Sequence, residues 1–444
     1  MEVTKSNAIL DVYERPRPLT WFGLSLQHMF SMFGATVMVP LLVGLNPGIA
    51  LFTSGVGTLI YILITKGNIP IYMGSSFAFI IPMTSLLHTT GYPGVSQGII
   101  SVGIVYLIVS LIVSRIGTEW LGKIFPPAVV GPIVMVIGLS LATSAATNAT
   151  MAGENYSIKA FTVALLTLLA TIGYNMFLKG FFGLIPVLLG IITGYIFAVI
   201  FGLVDFTPVQ KASWFALPKF ENFIDPNGFQ FYPAAILSMA PIALVTMSEH
   251  LGHLMVLRKI TGRDFFKDPG LKKTLAGDGT ASISAAFLGG PAVTSYGENI
   301  GVMQLSRVYS VWVIGGAASL AVTFSFVGKL SALIQTIPGA VIGGVGFMLY
   351  GVIASAGIQV IVDNKIDYSK KHNLMIAAPV LVTGIGNFSL QLPSGVAFSG
   401  VAIATVLGIV LNIVLPKEAA SEREQNAAKT EKENPMEKVL QSDC

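Results

Sequence analysis

Charge is what this sequence has least of. Of 444 residues, 22 are Asp or Glu and 26 are Lys or Arg, 11% in all, whereas a soluble chain carries about 25%. Cysteine is nearly missing as well: Cys444 stands alone. That excludes a disulfide framework and a thiolate metal centre, and a lone C-terminal Cys is no prenylation box. The polar opening from Met1 to Pro18 lacks the apolar run of a signal peptide. A net charge of +4 says little by itself, and no nucleic-acid partner is expected. What is abundant is apolar: 53% of residues are hydrophobic and the mean hydropathy is +0.75. Long apolar runs separated by short loops describe an all-α polytopic membrane protein.

At roughly 20 residues per crossing, the runs predict about 14 transmembrane segments. The first seven lie near 20–43, 47–66, 69–88, 95–115, 126–146, 159–178 and 182–202. The second seven lie near 232–257, 273–289, 291–306, 308–328, 337–359, 373–391 and 396–415. The third and tenth are short and interrupted. Lys and Arg concentrate in the N-terminal segment 1–18, in 258–273 and in 360–372. On this count all three lie on one side, and the positive-inside rule makes that side cytoplasmic. The opposite side receives 89–94, 147–158 and a connector at 203–231. Both termini are then cytoplasmic, and the charged tail 417–444 is expected to be disordered.

The chain repeats itself. Phe125-Pro126-Pro127-Ala128-Val129-Val130-Gly131 resembles Ile337-Pro338-Gly339-Ala340-Val341-Ile342-Gly343, and Gln27-His28 echoes Glu249-His250. Pro70 to Phe77 reads like Pro291 to Glu298. The offsets are about 210–220 residues. The halves are therefore 19–202 and 232–416. With seven segments each, the second copy must be inverted. Inverted repeats with paired broken helices place a binding site at the bilayer midplane, which is the plan of a secondary transporter.

The breaks carry the chemistry. Gly289-Gly290-Pro291 cannot continue a membrane helix; a β-prone run Ala292-Val293-Thr294 and a turn Ser295-Tyr296-Gly297 follow, then a helix beginning near Glu298. Short strands are expected in both breaks, since non-helical backbone at membrane depth needs protein or a cavity around it. Among the acids, Glu249 and Glu298 fall well inside predicted segments, and an intramembrane carboxylate is a functional hypothesis by default. The alternative is a carboxylate tied to a backbone amide for structure. Glu249 and His253, four apart, share a helix face, making His253 a proton-relay candidate. His250 is expected to point elsewhere; it and His28 could equally be core histidines. Glu-His-x-x-His is not the zinc motif and has no third ligand, so no metal or cofactor is expected. Phe77 could stack on a flat ligand or simply pack in the core. Tyr296 and Gly297 offer backbone N–H groups beside Glu298. Tyr350, in a glycine-rich segment, reads first as a packing residue, and Asp278 as an interfacial polar residue near a segment end. No Lys or Arg lies near the breaks except Arg307 at a segment end. Two carboxyl groups, amides and a ring suit a neutral, planar, N–H-bearing solute moved together with a proton. No enzyme is expected, because neither a metal set nor a nucleophile–base pair is present.

The runs GSSFAFI (74–80), SEHLGHL (248–254), SYGENIGV (295–302) and MLYGVIASAGI (348–358) resemble the nucleobase–ascorbate (nucleobase–cation symporter 2) transporter family over nearly the whole chain. The family signature, Gln or Glu then Asn-x-Gly-x-x-x-x-Thr-[Arg/Lys/Gly], stands here as Glu298-Asn299-Ile300-Gly301 through Ser306-Arg307, with Ser306 in place of Thr. The resemblance implies a core domain (segments 1–4 and 8–11), a gate domain (5–7 and 12–14) and homodimers. It implies that Glu249 and Glu298 hold a base, with the Tyr296 and Gly297 amides on a carbonyl and Phe77 against the ring. It also implies proton coupling through Glu249 and His253, and Tyr350 on the gate side. Glu249, the Ser-Tyr-Gly run and Glu in the signature resemble the uracil branch. Uracil import with a proton across a bacterial-type inner membrane is the expectation. A purine base such as xanthine or urate, another pyrimidine, or an anion exchanger of related architecture are the alternatives.

Overall fold

The computed structural model describes residues 8–117, 119–153, 155–225, 228–386, 388–391 and 397–416. The expected tail 417–444 lies outside the described residues. Helices Pro18–Val43 and Pro47–Ile64 open the first half. Both start with proline, whose missing N–H costs nothing in a first turn. A three-residue strand, Met73–Ser75, and a 3-10 turn, Phe77–Phe79, lead into Ile80–Ile116. That helix leaves helical geometry at Gly91 (φ 67°), with Pro93 behind it. The apolar stretch Phe77–Ile116 spans 40 residues, about 60 Å if straight and twice a hydrocarbon core of about 30 Å. It therefore carries two of the expected segments. Pro127–Ser140, Ala142–Thr150, Ile158–Phe177 and Pro186–Ile200 complete this half.

The second half follows from residue 233. Pro233–Met239 and Ile242–Thr261 are followed by Leu271–Phe287, strand Val293–Ser295 and helix Gly297–Ser306. Val311–Ser325, Gly339–Asp363, Lys371–Ile385 and Gly400–Val414 follow. Among the described residues, 7 helical stretches are long and apolar enough to cross a membrane, and three shorter apolar helices accompany them. The basic residues expected in one loop are split: Arg258 and Lys259 end one helix, and Lys272 and Lys273 begin the next.

Packing interleaves the halves. Ile80–Ile116 lies on Leu271–Phe287, and Pro47–Ile64 on Val311–Ser325. Separately, Gly339–Asp363 packs on Pro127–Ser140, Ala142–Thr150 and Ile158–Phe177, with Lys371–Ile385 alongside. The first crossing requires glycine on both sides. A Cβ on Gly103 would lie 2.5 Å from the Gly279 carbonyl oxygen, and one on Gly279 would lie 2.7 Å from that of Gly103. Without water to squeeze out, membrane helices associate through such close backbone approach. Leu165, Leu169, Ile172 and Met176 stay exposed along one helical face, as lipid contact demands.

The N-terminal segment is more than a polar leader. Residues 9–12 run beside 307–311: Ile9 N–H donates to the Arg307 carbonyl (2.8 Å), Tyr309 N–H to Leu10 (2.8 Å) and Val311 N–H to Val12 (2.9 Å). Arg263, just past the Ile242–Thr261 helix, donates to Asp11 through Nη2 (2.6 Å) and Nε (3.4 Å). Tyr13 Oη donates to Asn68 (3.2 Å). The strap thus ties together the ends of three helices. The Arg263 hydrogen bond holds the Asp11 carboxyl below the usual aspartate range. The clasp is therefore present above that range and is lost as pH falls through the depressed value. Both side chains are about a third exposed, 35% and 39%, so solvent weakens the pair. Arg263→Gln is expected to cost about 1 kcal/mol or less at neutral pH. In detergent melting curves, the gap between variant and parent should narrow as pH falls below the ordinary aspartate value of about 3.9 and close below the depressed value of Asp11. A gap that persists in acid would show that the pair is not its source.

Candidate functional site

Each broken segment supplies what the other lacks. Met73–Ser75 and Val293–Ser295 pair antiparallel, with Met73 opposite Ser295, Gly74 opposite Thr294 and Ser75 opposite Val293. Two more bonds extend the ladder: Ser76 N–H donates to the Ala292 carbonyl and Tyr296 N–H to Tyr72, both at 2.9 Å. Backbone groups that lipid cannot satisfy are thereby satisfied inside the protein. Side chains close the edges. Thr58 Oγ1 accepts from Met73 N–H (2.9 Å), and Ser282 Oγ donates to the Val293 carbonyl (2.7 Å). Tyr296 Oη donates to the Ser75 carbonyl (2.8 Å), folding its ring over Gly74. A Cβ on Gly74 would fall 2.4 Å from that ring, so the crossing admits only glycine there.

Beyond the strands the two segments turn into helices that flank one cavity of about 800 Å³. Ser75, Ser76 and Phe77 line it from one break; Tyr296, Gly297 and Glu298 line it from the other. Glu249 and His253 reach it from Ile242–Thr261. The cavity extends past Phe125 and Val130 to Gln359, Asp363 and Asn364, toward the face that carries Lys365, Lys370 and Lys371. Glu249 and Glu298 are both solvent-accessible and both line this space. Glu298 sits in the first turn of Gly297–Ser306, where free N–H groups and the positive end of the helix favour an anion or an electron-rich oxygen. Phe77 borders the cavity edge-on to Tyr350, with ring centroids 6.4 Å apart and planes at 70°. Tyr350 itself is buried on Gly339–Asp363, and its hydroxyl has no hydrogen-bond partner among the described residues. A mostly apolar cavity with a few converging polar groups is the usual form of a small-molecule site.

One expectation is corrected here. Asp278 is no interfacial residue: it is fully buried, and its Oδ2 lies 3.2 Å from His250 Nδ1. The expected segment began at 273, which set Asp278 near its end, but the helix begins at Leu271, so Asp278 stands two turns inside it. His250 is fully buried and off the cavity wall that Glu249 and His253 line, so it does point elsewhere, and what it meets is polar. Its Nδ1 shares Ser295 Oγ with His253 Nδ1, at 3.1 and 2.9 Å. Residues three apart on a helix are neighbours as surely as residues four apart, and that spacing was the available signal. His28 is likewise engaged: Asn299 Nδ2 donates to the His28 carbonyl (3.0 Å) and lies 3.2 Å from His28 Nδ1. Asn299 follows Glu298 directly, so this bond fixes the rotation of the Glu298 helix against Pro18–Val43.

A family model described as "Permease family" matches residues 19–392. The chain belongs to the nucleobase–ascorbate transporter family. This family member is 49% identical over 439 residues to a uracil permease of Bacillus subtilis, covering 96% of this chain and 100% of that one. It is 47% identical to a uracil permease of Bacillus caldolyticus, covering 92% and 95%. Among solved structures, the transmembrane domain of the cyanobacterial bicarbonate transporter BicA superposes with a TM-score of 0.61 at 14% identity, covering 91% of this chain and 100% of that chain. That likeness concerns the fold alone. The family member is thus a multi-pass membrane protein of transporter fold, and its relatives are permeases rather than enzymes.

Gly74→Val tests the strand crossing. The added branch must displace the Tyr296 ring, at an expected cost of about 1–3 kcal/mol. It should be seen as a lowered melting temperature in detergent together with loss of ligand binding. Unchanged melting and binding would show that Tyr296 has room to yield.

Proposed function

We propose that the chain imports uracil together with a proton, by alternating access across a bacterial-type cytoplasmic membrane. The observation that carries this reading is the convergence of Glu249 and Glu298, from separate elements of the second half, on one cavity beside the paired breaks. The printed names of the relatives supply the cargo. Uracil is neutral and flat, with N–H and carbonyl groups alternating around the ring. In this reading the two carboxyl groups take the ring N–H groups, and the Tyr296 and Gly297 amides meet a carbonyl oxygen. Phe77 covers the ring, with Tyr350 behind it. Glu249 and His253 carry the coupled proton, and Ser295, shared by His250 and His253, fixes the imidazole.

The moving parts are the two packing groups. Segments 1–4 with 8–11 form the core that holds the breaks; segments 5–7 with 12–14 form the gate, which includes Tyr350. The domain division at 19–202 and 232–416, the two inverted seven-segment repeats and a homodimer belong to the same proposal. The basic face bearing Arg263, Lys365 and Lys370 is assigned to the cytoplasm on the positive-inside rule, with both termini there. The cavity then opens inward. Another pyrimidine or a purine base fits the same chemistry less directly. An anion exchanger would want a cation where Glu298 stands.

Uptake of labelled uracil by cells lacking their own uptake system tests the assignment. Glu249→Ala and Glu298→Ala should each lower uptake by about tenfold or more, as loss of a hydrogen bond to a charged group does, while the protein still reaches the membrane. Normal uptake in either variant sinks the site. Imposed proton and sodium gradients, applied separately, identify the coupling ion. Competition with unlabelled xanthine and urate separates the purine reading.

A further inference from the structure

A second cavity, of about 610 Å³, lies away from the strand crossing and beneath the N-terminal strap. Tyr13, Trp21, Ile62, Lys66, Trp312 and Gly315 are on its walls. It runs between the end of Pro47–Ile64 and the start of Val311–Ser325. From Lys66 to Leu59, or from Val311 to Ser319, its depth is about 10–12 Å along the helices. The polar groups gather at the strap end; the deep end is Leu59, Gly315 and Gly316, with Ser319. The outer rim faces the bilayer, since Trp312 and Leu63 are exposed.

Three features distinguish it from an ordinary helix seam. First, its two indoles sit where interfacial tryptophans sit in membrane proteins, at the ends of apolar helices. Trp21 spends its N–H on the Trp312 carbonyl (2.6 Å), which leaves its ring to the cavity wall. Second, Lys66 on the wall and Arg15 beside the Trp312 ring are unmatched. Arg15 lies over the Trp312 ring, 5.1 Å from its centroid. Among the described residues neither Arg15 nor Lys66 has a carboxylate partner, because Asp11 is held by Arg263 and the Glu14 carboxylate accepts from Asp11 N–H (2.9 Å). Third, Lys66 takes φ 57° in the turn that ends Pro47–Ile64, closed by Gly67 N–H donating to the Ile62 carbonyl (2.8 Å). That turn fixes the backbone of a lysine on the cavity wall.

We propose that this cavity holds one anionic phospholipid of the leaflet on the strap side. The phosphate lies between Lys66 and Arg15, the glycerol region meets Tyr13 and the indoles, and one acyl chain enters along Gly315 toward Ser319. A basic pocket between membrane helices is the known form of an anionic lipid headgroup site. The apolar depth behind it calls for a chain and not only a soluble anion.

Native mass spectrometry of the full-length protein, titrated with phosphatidylglycerol or phosphatidylcholine, tests this directly. One phosphatidylglycerol should be retained, phosphatidylcholine should bind about tenfold more weakly, and Lys66→Gln with Arg15→Gln should remove that preference. Gly315→Leu, which fills the deep end, should weaken both lipids. Melting curves identify any variant that fails to fold, and the headgroup double variant stands independently of Gly315→Leu. Equal retention of both lipids by the parent protein, or undiminished preference in the double variant, overturns the proposal. Displacement of the lipid by millimolar inorganic phosphate also overturns it, since the site would then bind the anion alone.

Discussion

Everything in this structure depends on an unpaired backbone group being intolerable inside a bilayer. Two segments of the chain abandon the helix at membrane depth, and neither could do so alone. Paired through Met73–Ser75 and Val293–Ser295, they satisfy each other. The consequence is geometric. Two elements more than 200 residues apart in sequence become fixed neighbours, and the helices leaving them start at the same depth. A carboxylate in the first turn of one such helix is presented to the cavity together with free N–H groups. The ladder that solves a solvation problem thereby lines one cavity with polar groups from both breaks.

Around that ladder the polar groups are arranged in depth. Glu249, Glu298 and His253 meet the cavity; Ser295 stands behind His253 and also contacts His250; His250 in turn faces Asp278. On the other side, the His28–Asn299 bond holds the Glu298 helix to the first helix of the chain. Such buried polar groups add little net stability compared with apolar packing, and breaking one side of them is costly. Their effect here is to hold Ser295 between two imidazoles and to pin Asn299 through its Nδ2 alone. The N-terminal strap repeats the pattern outside the membrane, joining Arg307, at the end of the Glu298 helix, to Arg263, just past the helix that bears Glu249.

Much of this was legible in the sequence because membrane helices announce themselves. The runs near 47–66 and 337–359 correspond to Pro47–Ile64 and Gly339–Asp363 within a few residues. The Gly-Gly-Pro break, and its counterpart at Pro70, marked the strands by excluding helix. That Phe77 and Tyr350, drawn from different halves, lie edge-on to each other was not foreseen. The register of Met73 against Ser295 was beyond reach, since three-residue strands carry no pattern that fixes it. Asp278 was misplaced because nearness to a segment end does not say what covers a side chain, and Ile80–Ile116 packs over its helix. The strap was invisible for a related reason: residues 9–12 have no periodicity, and their partners are backbone groups 300 residues away.

The most direct test of the central claim is to see the ligand. A structure of the protein with 5-bromouracil, with bromine located by its anomalous signal, fixes the ring without relying on uptake. The expected result is one bromine site in the cavity beside the strand crossing, with the ring in hydrogen-bond reach of both Glu249 and Glu298. A ring bound elsewhere, or touching neither carboxyl group, would contradict it.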